Sequence, residues 1–159
     1  MSSFRESRNV ERSLLYYLET NIALDWSGVS VLRSFKQAYS KDTDVPIITV
    51  ELTDNNPVKR EIGSTVYDGQ YLCTVNIFAK SDGQRMDLTD YVKEKVESGW
   101  THYTHSRESG DLESVTRTQN GRDSLLSFID NSKITLSEIV DEKDKYRHKI
   151  SFIVRTTET

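Results

Sequence analysis

"REIGSTVYDGQYLCTVNIFAK", Arg60 to Lys80, decides how the rest of the chain is read. It carries Asp68-Gly69 between strand-like runs, the strongest short-range hairpin signal in the sequence, and so predicts two antiparallel strands around that pair. In the second run Tyr71, Cys73, Val75, Ile77 and Ala79 share one face. Thr74, Asn76 and Lys80 share the other, interrupted by Phe78. So apolar a face requires a covering layer.

The upstream sequence supplies one such layer. Ser3 and Glu6 have the spacing of a capping box, and Val10, Leu14, Tyr17 and Leu18 follow on one helical stripe with Leu15 and Ile22 at its margins. This predicts a helix at about residues 4–20. "VSVLRSF", Val29–Phe35, alternates weakly as a strand, and "PIITVEL", Pro46–Leu52, is β-branched throughout. Pro46 favours an extended Val45, and "TDNNP" closes the run as a turn.

Downstream, Asp87 can cap a second helix with Asp90 near its positive end. Leu88, Tyr91, Val92 and Val96 form its stripe, and Gly99 stops it. "WTHYTHSRESGDLESVTRTQNGRD", Trp100–Asp123, is polar and turn-rich and reads as an irregular excursion at about 101–123. "LLSFI", Leu125–Ile129, reads as a short element and "KITLSEIV", Lys133–Val140, as a strand. "DKYRHKISFIVRT", Asp144–Thr156, closes the chain. There Tyr146, His148, Ile150, Phe152 and Val154 share one face, and Arg147, Lys149, Ser151 and Arg155 the other, with Ile153 the exception. Hairpin signals outnumber strand–helix–strand alternation. The expected class is α+β, a mostly antiparallel sheet with two main helices packed on it, in a single domain over 1–159.

Composition narrows the function. The 159 residues are 35% hydrophobic and 29% charged, with mean hydropathy −0.61, polar for a globular chain yet sufficient for one core. A net charge of −4 argues against a general duplex binder, whose affinity rests on neutralising phosphates. The lone Cys73 allows no intramolecular disulfide and fits a reducing compartment, and no run approaches the roughly 20 apolar residues that span a bilayer. The expectation is a protein of the cytosol, or of an assembly built there, with no membrane contact.

Motifs for chemistry are missing from the sequence: no phosphate-binding loop, dinucleotide fingerprint, nucleophile elbow or H-E-x-x-H. His102 and His105, with Glu108 and Asp111 nearby, are the nearest approach to a metal set. A solvated loop is the preferred reading, because nothing fixes their geometry. Cys73, on an apolar strand face, reads as a small buried hydrophobe. "KREIG", with Lys59, Arg60 and Glu61 before Gly63, reads as either a subunit contact or a bulge at a sheet edge. Cations Arg147, Lys149 and Arg155, projecting from one strand face of an acidic chain, read as a subunit interface, so that charge reversal at Arg147 and Lys149 is expected to disrupt assembly.

One succession crosses the chain: "PIITV", "REIGS", "YLCTVNIFAKSDGQRMDL" leading into a helix, and the closing "YRHKISFIVRT". It resembles the tail-terminator and head-to-tail joining (neck) proteins of tailed bacteriophages. The match covers Pro46–Val50, Arg60–Ser64, Tyr71–Leu88 and the last strand, in short pieces. The resemblance implies a structural virion protein, no enzyme, with no catalytic residue, cofactor or metal. It implies a subunit of a homo-oligomeric, hexameric ring that caps the tail tube and joins it to the head connector or adaptor proteins. Genomic DNA would pass through the lumen without sequence-specific binding. The protein would reside in the virion neck after assembly in the host cytoplasm. The alternatives are a head-completion protein on the portal side and, from other classes, a small metal-dependent enzyme using His102, His105 and Glu108 or a small-molecule-binding domain without a ligand signature. The excursion at 101–123 is where the chain departs most from that family picture.

Overall fold

A computed structural model describes residues 6–34, 38–39, 44–55, 58–59, 67–107, 115–135 and 142–157. Its elements are α1 (Glu6–Asp25), β1 (Ser30–Leu32), β2 (Ile47–Asn55), β3 (Val58–Lys59), β4 (Tyr67–Phe78), α2 (Asp82–Glu97), β5 (Trp100–Arg107), β6 (Val115–Lys133), a 3₁₀ turn (Glu142–Asp144) and β7 (Arg147–Thr157). The strands follow the order β1-β2-β4-β7-β6-β5, with β3 pairing the start of β4. Every pairing is antiparallel except β1 with β2. The class is α+β, as the hairpin signals predict.

One turn prediction is corrected. Asp68-Gly69 is no hairpin turn but lies within β4, Asp68 opposite Val58 and Gly69 opposite Thr156. That turn type needs positive φ, which among the described glycines belongs to Gly28, Gly99 and Gly121. Continuous pairing with β7 from Gly69 to Phe78 outweighs a dipeptide's local preference. The reversal between β3 and β4, carrying Arg60 and Glu61, lies outside the described residues. So does Ser3 of the expected capping box. Asn120-Gly121 forms a bulge: with Thr101 opposite Arg122 and Tyr103 opposite Gln119, the pair faces His102 alone, and Gly121 takes φ 111°.

The polar stretch 101–123 is the second correction of substance. It forms most of β5 and the first part of β6. Its threonines and aromatic rings are strand formers, and that propensity decides the local structure where polarity misled. β6 then runs on through "LLSFI" to Lys133, and of the strand expected at Lys133–Val140 the described Ile134 and Thr135 are not strand. Residues 136–140 lie outside the described residues.

Both helices pack on one face of the sheet. Tyr71, Cys73, Val75 and Ile77 of β4 meet Ile150, Phe152 and Val154 of β7, and above them lie Val10, Leu14, Leu18 and Ile22 of α1 and Leu88, Val92 and Val96 of α2. α1 extends five residues beyond the expected end, to Asp25, because Ile22 is a core residue. α2 begins at Asp82, not near Asp87: the Gln84 N–H donates to Ser81 Oγ (3.1 Å), and Gln84 Oε1 accepts from the Lys80 N–H (2.8 Å). Ser81-x-x-Gln84 was the capping signature to read. Gly99, φ 71°, ends the helix as expected.

The sheet curls around α1, which touches β5 at one end of the strand order and β1 and β2 at the other. This contact is polar as well as apolar. Asn9 Oδ1 accepts from the His105 N–H (3.1 Å) and Ser13 Oγ from the Tyr103 N–H (2.9 Å), so two outward backbone donors of edge strand β5 end on α1 side chains. On the other side Glu11 Oε2 accepts from the Leu52 N–H of β2 (3.0 Å), while its Oε1 meets Arg33 Nε (2.9 Å). Replacing Asn9 or Ser13 by Ala leaves a backbone N–H without its partner. Each change is expected to cost about 1–3 kcal/mol in urea unfolding and to speed hydrogen exchange at the His105 or Tyr103 amide respectively. Unchanged exchange at those two amides would refute the sealing role.

Candidate functional site

The expected interface cations sit on the sheet face turned away from the helices. Arg147, Lys149, Ser151, Ile153 and Arg155 of β7 lie opposite Phe78, Asn76, Thr74, Leu72 and Gln70 of β4. This face is not the wet surface the alternation implied. Thr49, Thr74, Asn76 and Ser151 are buried on it, with the Thr74 and Ser151 hydroxyls hydrogen-bonded at 3.2 Å.

The three cations differ in circumstance. Arg147 donates to Asn76 Oδ1 (2.9 Å from Nη2), lies 3.6 Å from the Asp144 carboxylate and spans the Phe78 ring at 5.2 Å. It anchors the 3₁₀ turn to β4, so its charge is engaged within the chain. Lys149 is half-buried between Asn76 and Ser132, and Arg155 is exposed between Gln70 and Ser124. Six residues of strand separate the latter two by about 20 Å. They form a row, not a cluster. Lys59 of β3 pairs with Tyr67, at the Arg155 end of the sheet. Arg60 and Glu61 are outside the described residues.

A second surface feature lies on β6. β5 pairs with β6 only up to Asp123, so among the described residues Ser124–Lys133 has β7 on one side and no strand on the other. Within that open edge the register to β7 skips twice, leaving Leu126 and Ile129 as the extra residues of two bulges. They are 47% and 59% exposed. α2 runs alongside: Lys133 Nζ meets Asp82 Oδ1 at 3.2 Å and Lys93 Nζ lies 5.8 Å from the Phe128 ring centroid. Eleven helical residues and five strand residues both span roughly 16 Å, so helix and strand edge keep step. Met86, 49% exposed, stands one turn after Asp82 on that side of α2. The sequence signal was there, since "LLSFI" breaks the two-residue period as a bulged strand must.

The described histidines are held inside. His102 is fully buried and donates through Nδ1 to Asp123 Oδ2 (3.1 Å). The same carboxylate accepts from Trp100 Nε1 (3.1 Å) and Thr156 Oγ1 (2.6 Å). A buried carboxylate with three donors is a tie between β5, β6 and β7. Spacing alone could not find it, because the three donors come from two strands. His148 accepts at Nδ1 from Arg85 Nη1 (2.7 Å) and donates at Nε2 to Asn131 Oδ1 (2.5 Å), which fixes the neutral imidazole. It is a hydrogen-bonded core histidine, as its place on the apolar face suggests. Among the described residues no three metal-ligating side chains converge, and Glu108 and Asp111 are outside them. Burial pushes the Cys73 thiol up, far from a reactive thiolate.

No protein-family model matches the chain, and the curated proteins contain no match to it.

Burial lowers the pKa of His105 to about 4, aided by Arg117 and Arg12, and burial and then Arg85 lower that of His148. The unfolded chain titrates these groups near 6.5 and binds more protons than the folded one below that value. Their neutral burial therefore favours folding fully above about pH 6.5 and progressively less as pH falls towards about 4. The urea midpoint is expected to drop between pH 7.5 and pH 5, and the drop to shrink in His105→Phe. A midpoint that does not fall over that range would contradict the assignment.

Proposed function

We propose that the chain is a structural subunit of the neck of a tailed bacteriophage, a tail terminator that assembles as a hexameric ring between tail tube and head connector. The observation that carries this reading is the open β6 edge, where Leu126 and Ile129 stand exposed, with Met86 exposed on α2, the helix that runs along β6. Exposed apolar groups on a folded surface mark contact with another molecule when they gather along one edge. The row of Lys149 and Arg155 on a chain of net charge −4 adds cations that acidic neighbours complement. The succession of short motifs from Pro46 to the last strand supplies the family expectation. On this reading the protein resides in the virion neck after cytoplasmic assembly, it needs no cofactor, and genomic DNA passes its ring without being read.

The engagement of Arg147 inside the chain sharpens the mutational test. Lys149→Glu with Arg155→Glu, and separately Leu126→Lys with Ile129→Lys, spare the contacts of Arg147 with Asn76 and Asp144. Each pair of changes is expected to leave the unfolding midpoint near wild type, since exposed substitutions cost about 0.5 kcal/mol or less. Light scattering across a concentration series is expected to show wild type approaching six copies of the 18.3 kDa chain, and both variants shifted towards monomer. Wild-type protein that never exceeds monomer mass, even with tail tubes present, would sink the ring.

A further inference from the structure

Where α1 crosses β5, two adjoining grooves share Tyr16. The smaller, about 210 Å³, is lined by Arg12, Tyr16 and Glu19 of α1, His105 of β5 and Arg117 of β6. The larger, about 360 Å³, is walled by the rings of Tyr16, Tyr17, Trp100 and Tyr103, with Arg122 at its border. The Arg117 guanidinium lies 4.1 Å from the Tyr16 ring centroid, and Tyr103 meets Tyr16 edge-on at 5.7 Å. Three arginines thus gather along one crossing of an otherwise acidic molecule.

His105 marks this as more than a basic patch. It is 5% exposed, lines the smaller groove, and among the described residues its ring nitrogens make no hydrogen bond of normal length and angle, only a looser approach to the Tyr103 backbone. A buried imidazole so poorly matched is costly unless a ligand or water meets it. Two guanidiniums and an imidazole N–H converging on one small cavity match an anion with several acceptor oxygens. The neighbouring aromatic walls match a planar ring.

We infer that the α1–β5 crossing binds a nucleotide, its phosphate between Arg12, His105 and Arg117 and its base in the ring-lined groove beside Tyr16. An acidic peptide is the other polyanion to weigh, and the fold disfavours it. A peptide strand laid on β5 needs outward backbone donors, and those of Tyr103 and His105 are taken by Ser13 and Asn9. Glu19 opposes the ligand: its exposed carboxylate shares the cavity with the two arginines. The inference does not rest on the ring reading, because every contact comes from one chain.

The test is an NMR titration at 0.1 M salt, following the His105 ring nitrogens, with a short oligothymidylate, thymidine monophosphate, inorganic phosphate and an oligoglutamate as probes. The oligothymidylate is expected to shift the His105 ring and bind about tenfold more weakly to Arg117→Ala, more tightly to Glu19→Gln and unchanged to Lys80→Ala. Arg117→Lys, which keeps the charge and loses the planar fork, is expected to fall between wild type and Arg117→Ala. Monophosphate reaching the same shifted end-point identifies a free nucleotide as sufficient, and oligothymidylate alone doing so identifies a single strand. Either supports the site. The inference is overturned if no nucleotide moves the His105 signals, if Glu19→Gln and Arg117→Lys both bind as wild type does, or if inorganic phosphate or oligoglutamate binds as tightly as oligothymidylate.

Discussion

The fold depends on one helix closing an open sheet. A strongly bent antiparallel sheet presents backbone donors along both outer strands, and each left dry costs about as much as a lost buried hydrogen bond. α1 meets both margins at once. Its apolar stripe, Val10, Leu14, Leu18 and Ile22, fills the concave face, while Asn9 and Ser13 satisfy β5 and Glu11 satisfies β2. Asn9, Glu11 and Ser13 are ordinary surface residues by type. Their placement between stripe residues turns the sides of an amphipathic helix into substitute strands.

That arrangement explains which parts of the architecture can be read from the chain and which cannot. The core face of β4 and β7 follows from a two-residue period, and Tyr71, Cys73, Val75, Ile77, Ile150, Phe152 and Val154 lie where alternation puts them. The helix stripes follow from a 3.6-residue period. Failures occur where local chemistry and long-range pairing disagree. Asp68-Gly69 carries hairpin residues, yet pairing with β7 extends the strand through Gly69. Trp100–Arg107 is polar in its side chains yet a strand, its outward backbone donors at Tyr103 and His105 meeting α1, so polarity there did not signal a loop. The candidate surfaces were legible in part: the β7 cations were visible by alternation, but Arg147's internal bonds to Asn76 and the bulged exposure of Leu126 and Ile129 come from partners remote in sequence.

The polar interior repeats this logic. Asp123, His102, Trp100 and Thr156 form one fully satisfied carboxylate tie apart from the bare His102 Nε2, while Arg85, His148 and Asn131 form another between α2, β7 and β6. Each joins elements that the apolar core already brings close. Such ties specify register, because a one-residue slip would bury a carboxylate or guanidinium with nothing to meet it. His105 breaks the pattern. It has the burial of its neighbours, but among the described residues its ring nitrogens make no hydrogen bond of normal length and angle, and burial, with two arginines beside it, makes its protonation unfavourable.

β5 and the uncovered end of β6, on the same side of the sheet, are therefore treated in opposite ways, and the contrast bears on the proposed function. At β5 polar side chains end the backbone ladder and leave no template for an added strand. At β6, Ser124–Lys133 keeps an open edge, but two bulges break its flatness, and bulged edges resist simple strand-on-strand growth. What that edge offers is side chains. Bulges re-aim them, and here the two re-aimed residues are Leu126 and Ile129, both apolar and both in solvent. A monomer gains nothing from that exposure, and a fold that meets β5 with two well-placed side chains has the means to hide them. On the proposed reading, they suit a partner that packs side chains against this edge instead of extending the sheet. That form of contact limits growth to a defined neighbour, as a closed ring requires and an open strand ladder does not.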